Sequence, residues 1–381
     1  MVYLKVNASL QVCLFLSAML CQCIILIALQ IDSHDLALGL STDGFAVFKK
    51  RKHSAWPLIL VNYNLPPDER VHLSETICVG VIPGPRAVKD LDSFLYPLVD
   101  ELLLLAGEGI KTIDVVSRKY FQLRAHLIKG FGDMPAIAKL MRMKGHNGLL
   151  PCRFCKIRGI CIPNSRSPAH YVPLDRSQHP ECGDHPHYDP ANLPIRTHNE
   201  ILQQAREVDL APNASQAERL ATTYGVNGTS MLSRLPSMDF PKSFPLEFMH
   251  AIWENTIPNI VSLMRGKFKD LDCTDFRLGD KVWEAIGKAS FASGDTIPGR
   301  YGNRVPDFIA YSGAMTAEAW SFWTMYIAPV LLYGQFIRDA YYQHFIKLVE
   351  LLRICLKFSI SLAEVDQLET GFIEWVVQYE K

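Results

Sequence analysis

The amino-acid sequence predicts an α/β protein: a mixed sheet core, an irregular zinc-stapled insertion and an all-helical C-terminal region. Three observations predict it. Between residues 35 and 145, apolar segments and turns follow the order strand, strand, strand, helix, strand, helix. Residues 146–200 lose that periodicity and gather Pro, His, Asp and Cys. Residues 201–381 return to amphipathic stretches of helical period. The predicted domains are an apolar N-terminal segment (1–34), the core (35–145), the insertion (146–200) and the helical region (201–381).

Each element has its own signal. "DLALGLSTDG" alternates and closes in a turn at Asp43-Gly44. "AWPLILVNYNLPP" is a second apolar strand, stopped by Pro66-Pro67, and "ETICVGVIPGP" a third, stopped by Pro83-Gly84-Pro85. "DLDSFLYPLVDELLLLAGEG" has helical periodicity, with Asp90 or Asp92 at its start and Gly107 near its end. "YFQLRAHLIKGFGD" is a fourth strand ending at Asp133, and "MPAIAKLMRMKG" a helix with Pro135 in its first turn and Gly145 at its stop. The helical region holds five amphipathic stretches, the last running to Lys381 without a C-terminal cap, as in a chain cut short. Their Trp, Phe and Leu residues read as core.

Composition excludes several classes. With 49% apolar and 20% charged residues the chain is not disordered. Lys+Arg and Asp+Glu are equal at 39 each, so net charge points to no partner and counts mildly against nucleic acid. The one basic run, Lys49-Lys50-Arg51-Lys52-His53, fits a solvated loop or a phosphate contact. Ten cysteines at uneven spacing are not the disulfide framework of a small secreted domain. Residues 6–31 carry no charge, follow Lys5 and are long enough to cross a bilayer. They fit a membrane anchor or secretory signal, a buried segment, or a misassigned gene start.

Two features carry chemistry. Asp43 and Asp133 end the first and fourth strands, which can be neighbours in a mixed sheet. Two carboxylates at one sheet edge repel unless a cation sits between them. Mg²⁺ takes such ligands together with phosphate oxygens, and a pair of ions suits in-line attack on a phosphodiester. Capping of a turn by Asp43 and of a helix by Asp133 remains the alternative. The second feature is Cys152-Arg-Phe-Cys155, two thiolates within reach of one Zn²⁺. Cys161, His170, His179, Cys182, His185 and His187 follow as further candidate ligands. A redox pair is the rival reading, but Gly148 and Pro151 do not give the strand-to-helix setting it needs.

The runs "LGLSTDGFAVFKKRKHSAWPLILVNYNLPP", "VIPGP", "GDMPAIAKLMRMKGHNGLLPCRFC" and "FPLEFMHAIWEN" together resemble the CACTA-type (En/Spm-like) transposase family, in the form abundant in basidiomycete fungi. The resemblance covers residues 35–381. It implies a ribonuclease H-like core with an Asp–Asp–Glu triad that binds two Mg²⁺ or Mn²⁺ ions and cuts and rejoins DNA at element ends. By that matching Asp43 and Asp133 are the first two acids. Cys152, Cys155, His170 and His179 are the zinc ligands, with Cys161 and Cys182 as substitutes. The chain departs from the pattern at Glu247-Phe-Met-His250, where relatives carry Asp or Cys before the histidine. Glu254, a turn after His250, is the candidate third acid; Glu318, or an acid beyond the end of this chain, is the alternative. The implied partners are transposon ends and target DNA, with a homo-oligomer as the working form and the nucleus as its place. A membrane or secretory location through residues 6–31 stands beside it. The competing expectation is a catalytically inactive remnant that binds DNA or protein.

Overall fold

A computed structural model describes residues 34–46, 54–84, 88–161, 170–177, 179–180, 187–268, 275–311 and 313–380. The apolar stretch 6–31, the basic run Lys49–His53, Cys182 and His185 lie outside the described residues. The chain forms two compact units. The sheet unit holds the described residues up to Val172 together with Leu193–Glu247. The helical unit holds Pro173–Asn192 and the chain from Phe248 onward.

The sheet unit is mixed α/β. Its main strands are β1 (Leu36–Thr42), β2 (Phe45–Ala46), β3 (Ser54–Asn62), β4 (Thr76–Pro83) and β7 (Ala125–Phe131). They run in the order β4-β3-β1-β7, and β2 pairs with β3 just past the end of β1. β3 is antiparallel to both β1 and β4, whereas β1 and β7 are parallel. β1 is central and buried on both faces, which is why "LALGL" is a continuous apolar run. Helix α1 (Asp92–Gly107) turns Leu95, Val99 and Leu102 into one core with Leu38, Leu40, Leu58, Leu60 and Leu127. The 3–4 residue spacing of those positions is the helical period. Two later helices, α3 (His198–Asp209) and α4 (Ala214–Tyr224), are capped by the side chains of Thr197 and Asn213. Beyond them Leu232, Leu235, Phe240 and Phe244 close the same core.

Two predicted elements differ. The single strand expected over 120–133 is two: β6 (Lys119–Leu123) folds back on β5 (Ile110–Asp114) as a separate hairpin, and only β7 joins the main sheet. The helix expected to reach Gly145 is α2 (Met134–Leu140), shorter because Arg142 adopts a left-handed backbone (φ 52°). Met143 then bridges to Val226. In the insertion, β8 (Ile160–Cys161) pairs with β9 (His170–Tyr171).

The helical unit contains a π-helical turn at Met249–Thr256 that runs into α5 (Ile257–Met264), then α6 (Asp280–Ser293). It continues with α7 (Ala317–Phe322), a second π-helical turn at Trp323–Ile327, α8 (Ala328–Leu331), α9 (Asp339–Cys355) and α10 (Leu362–Tyr379). Ser361 and Glu364 form a reciprocal capping box at the start of α10. Phe345, Leu348 and Leu352 of α9 and Leu368, Phe372 and Trp375 of α10 are all buried. Buried indoles find partners: Trp323 Nε1 donates to Ser290 Oγ (3.0 Å) and Trp283 Nε1 to the Met264 carbonyl (3.3 Å). The Glu380 carboxylate accepts from the Leu174 N–H (2.9 Å) and the Asp175 N–H (3.1 Å), tying the segment from Pro173 to the end of α10. No helix among the described residues is long and apolar enough to cross a membrane.

Candidate functional site

The parallel pairing of β1 with β7 decides where the acids stand. Gly39 pairs with Lys129, Leu40 with Gly130 and Ser41 with Phe131. β1 ends at Thr42, one residue before Asp43, and β7 at Phe131, two residues before Asp133. Neighbouring strands are about 4.8 Å apart, so two residues ninety positions apart in sequence leave the sheet at adjacent strand ends. Gly132 enforces this approach: a Cβ there would collide with the Thr42 carbonyl oxygen. Asp133 also caps α2, its Oδ1 accepting from the Ala136 N–H at 2.6 Å. The capping role weighed for Asp133 in the sequence is therefore filled, and by one carboxylate oxygen. Asp43 is exposed at the turn into β2.

Two further side chains complete this corner. The chain at Gly44 lies against the indole of Trp56, close enough that any side chain on Gly44 would strike the ring. Lys139 of α2 places Nζ 4.1 Å from the centre of the same ring. Burial lowers the Lys139 pKa and the Asp133 charge opposes that shift. Lys139 thus links the Asp133 end of β7 to the indole beside Gly44, the residue after Asp43. Lys139 carries no signal in the sequence beyond its place six residues after Asp133.

The Cys-x-x-Cys turn favours a thiolate at Cys152. The N–H groups of Phe154 and Cys155 point at Cys152 Sγ, at 3.3 and 3.4 Å. The Cys155 thiol hydrogen bond, backed by these amides and by Arg196, lowers the Cys152 pKa to about 6, against burial. Cys155 is pushed up, chiefly by its hydrogen bond to Cys152 and then by burial. Two buried arginines brace the turn. Arg196 Nε donates to the Cys152 carbonyl at 3.1 Å, and Arg153 donates to the Phe244 (2.9 Å) and Pro245 (2.7 Å) carbonyls.

A family model, transposase family tnp2, matches residues 25–221. The chain belongs to this family. Membership carries a transposase-derived function and, with it, DNA as a partner in general. No curated protein matches the chain. The tnp2 match takes in both acids, the Cys-x-x-Cys pair and His170, and it begins inside the apolar N-terminal stretch.

The remaining expected residues of this tnp2 chain lie elsewhere. His170 pairs in register with Cys161 across the β8–β9 ribbon of the sheet unit. His179 is buried in the helical unit, its N–H bonded to the Arg176 carbonyl (2.8 Å). Glu254 also belongs to the helical unit, on the π-helical turn, with Oε2 3.6 Å from His250 Nε2. Thr256 Oγ1 donates to the Ala251 carbonyl five residues back and fills that widened turn. Among the described residues, no group of three or more His, Cys, Asp or Glu side chains is gathered as a metal cluster. Arg142 and Lys144 are engaged with Asp92 (3.5 Å) and Glu218 (2.7 Å). Arg142 lines an open cavity of about 540 Å³ with Asp90, Tyr96 and Arg234.

Proposed function

We propose that this chain is a CACTA-type transposase core with a ribonuclease H-like sheet that cleaves and joins DNA by two-metal phosphodiester chemistry. The observation that supports the reading is the parallel pairing of β1 with β7, whose last residues lie one before Asp43 and two before Asp133. The fit to Mg²⁺ or Mn²⁺ rests on chemistry: Asp43 and Asp133 would supply hard oxygen donors just past neighbouring strand ends, a setting that favours a cation. Bound there, the ions would polarise the scissile phosphate and stabilise the leaving oxygen. Asp43 and Asp133 would hold them, Asp133 with the oxygen that α2 does not use. Lys139 would neutralise the acid pair before metal arrives and face a phosphate oxygen afterwards. Glu254 is the proposed third acid, oriented by His250. The amides and Arg196 that favour a thiolate at Cys152, with Cys155 beside it, support Zn²⁺, with His170 and His179 as the other proposed ligands; its role would be to pin the insertion. The working form would be a homo-oligomer on transposon ends and target DNA, in the nucleus.

Nicking of supercoiled plasmid tests this reading. The purified chain is expected to nick with Mg²⁺ and not with chelator, and Asp133→Asn to abolish nicking while keeping the helix cap. Equal activity in the two proteins overturns the catalytic reading. Salt-sensitive DNA binding with no nicking by the wild type would favour the inactive, DNA-binding remnant.

A further inference from the structure

The β5–β6 hairpin, Ile110–Leu123, lies outside the proposed chemistry and exposes what a folded chain usually hides. Val115 and Val116 at its tip are 82% and 94% exposed, and Ile113 and Tyr120 share its outer face. Around them stand Lys111, Arg118, Lys119 and, at the base, Arg124. The stretch 110–124 thus carries four cations and one acid in a chain whose charges otherwise balance. That acid, Asp114, is spent inside the turn, accepting from the N–H groups of Val116 (2.9 Å) and Ser117 (3.2 Å). Lys111 lies over the Tyr120 ring at 4.6 Å.

The hairpin is held rigidly at its root. Gln122 donates to the Glu108 carbonyl (2.6 Å), Arg124 to the Gly107 carbonyl (3.4 Å), and His34 stacks on Phe121 with ring centres 4.2 Å apart. It enters the sheet at the start of β7, whereas Asp133 follows the end of that strand. Seven strand residues separate the two ends by roughly 20 Å.

We propose that the β5–β6 hairpin is a second DNA-contacting element. Its cations grip phosphates, and its Val115-Val116 tip enters the major groove, which is wide enough for a two-stranded ribbon. The choice of DNA over a second copy of the chain rests on the local charge and on the transposase reading. The hairpin meets a stretch of duplex apart from the one at the acid pair.

The test is binding of the full chain to a labelled duplex across a salt series. Arg118→Ala with Lys119→Ala is expected to flatten the slope of log affinity against log salt by about 1.8, the effect of two lost phosphate contacts. Arg118→Lys with Lys119→Arg is expected to restore it. Val115→Ser with Val116→Ser is expected to weaken binding severalfold at an unchanged slope. Melting temperatures matching the wild type confirm that all variants fold. Unchanged slope and affinity in both the alanine and serine pairs overturns the proposal, as does a wild type with no salt-dependent binding. If the variants instead lose self-association and keep DNA affinity, the hairpin is a protein contact and the proposal falls. Plasmid nicking is read separately: a nicking wild type beside hairpin variants of normal affinity sinks only the hairpin, and a normal hairpin response without nicking sinks only the chemistry.

Discussion

Asp133 and Ala136 are joined by a 2.6 Å hydrogen bond from the Ala136 N–H to the Asp133 carboxylate, at the sheet edge where Asp43 also emerges. Asp133 is therefore a helix cap and, in the proposed function, a metal ligand as well. Asparagine caps about as well as aspartate, whereas alanine loses about 1 kcal/mol. Thermal unfolding is expected to leave Asp133→Asn near the wild type and to lower Asp133→Ala, while both lose Mg²⁺-dependent nicking.

Gly132→Ala tests the spacing rather than the acids. The added Cβ meets the Thr42 carbonyl oxygen, so the ends of β1 and β7 must part. Overpacking of this kind costs about 1–3 kcal/mol. The variant is expected to fold with a lower melting temperature and to lose nicking with both aspartates intact.

Arg153 is buried, and its guanidinium satisfies two backbone carbonyls at once. Arg153→Met strands the Phe244 and Pro245 oxygens and is expected to cost about 2 kcal/mol or more in denaturant unfolding. Arg153→Lys keeps the charge but loses the fixed fork of the guanidinium and is expected to fall between.

Chelation separates the two metal proposals. Zinc at a hundredfold excess over its Kd adds about 2.7 kcal/mol of stability. A zinc chelator is expected to lower the melting temperature of the wild type but not of Cys152→Ser with Cys155→Ser. Elemental analysis is expected to find zinc only in the former.

The helical unit has a pH dependence of its own. Burial lowers the His344 pKa, while its contact with the Trp375 carbonyl (Nε2 to O, 2.9 Å) opposes the shift and the nearby Lys347 adds to it. The unfolded chain then binds the proton more readily than the folded one. Stability from this group is complete above about pH 6.5 and is lost as pH falls through the lowered folded value. Denaturant midpoints at about pH 7.5 and about pH 5.5 are expected to differ more in the wild type than in His344→Phe.

The sequence made the main sheet legible where burial writes itself into composition. β1, β3 and α1 are long apolar runs with clear stops, and the acids sit where strands end. The β5–β6 hairpin was hidden for a physical reason. Its faces are half solvated, so no clean alternation marks them, and its turn uses Val-Val-Ser-Arg rather than Gly or Asn. Arg118 takes the left-handed conformation instead (φ 56°), which no residue-type rule would assign to it. The same substitution of arginine for glycine at Arg142 concealed the end of α2. Lys139, Trp56 and Arg196 were unreadable as site residues because each acts through contacts made only in the folded chain.

β4 pairs with β3 along one side and, among the described residues, has no strand on its other side. Along it Ile77, Val79 and Val81 stand exposed. An unprotected margin of this kind templates the addition of like strands from other molecules. Val79→Lys, which sets a charge on that margin, is expected to slow the aggregation of a concentrated preparation.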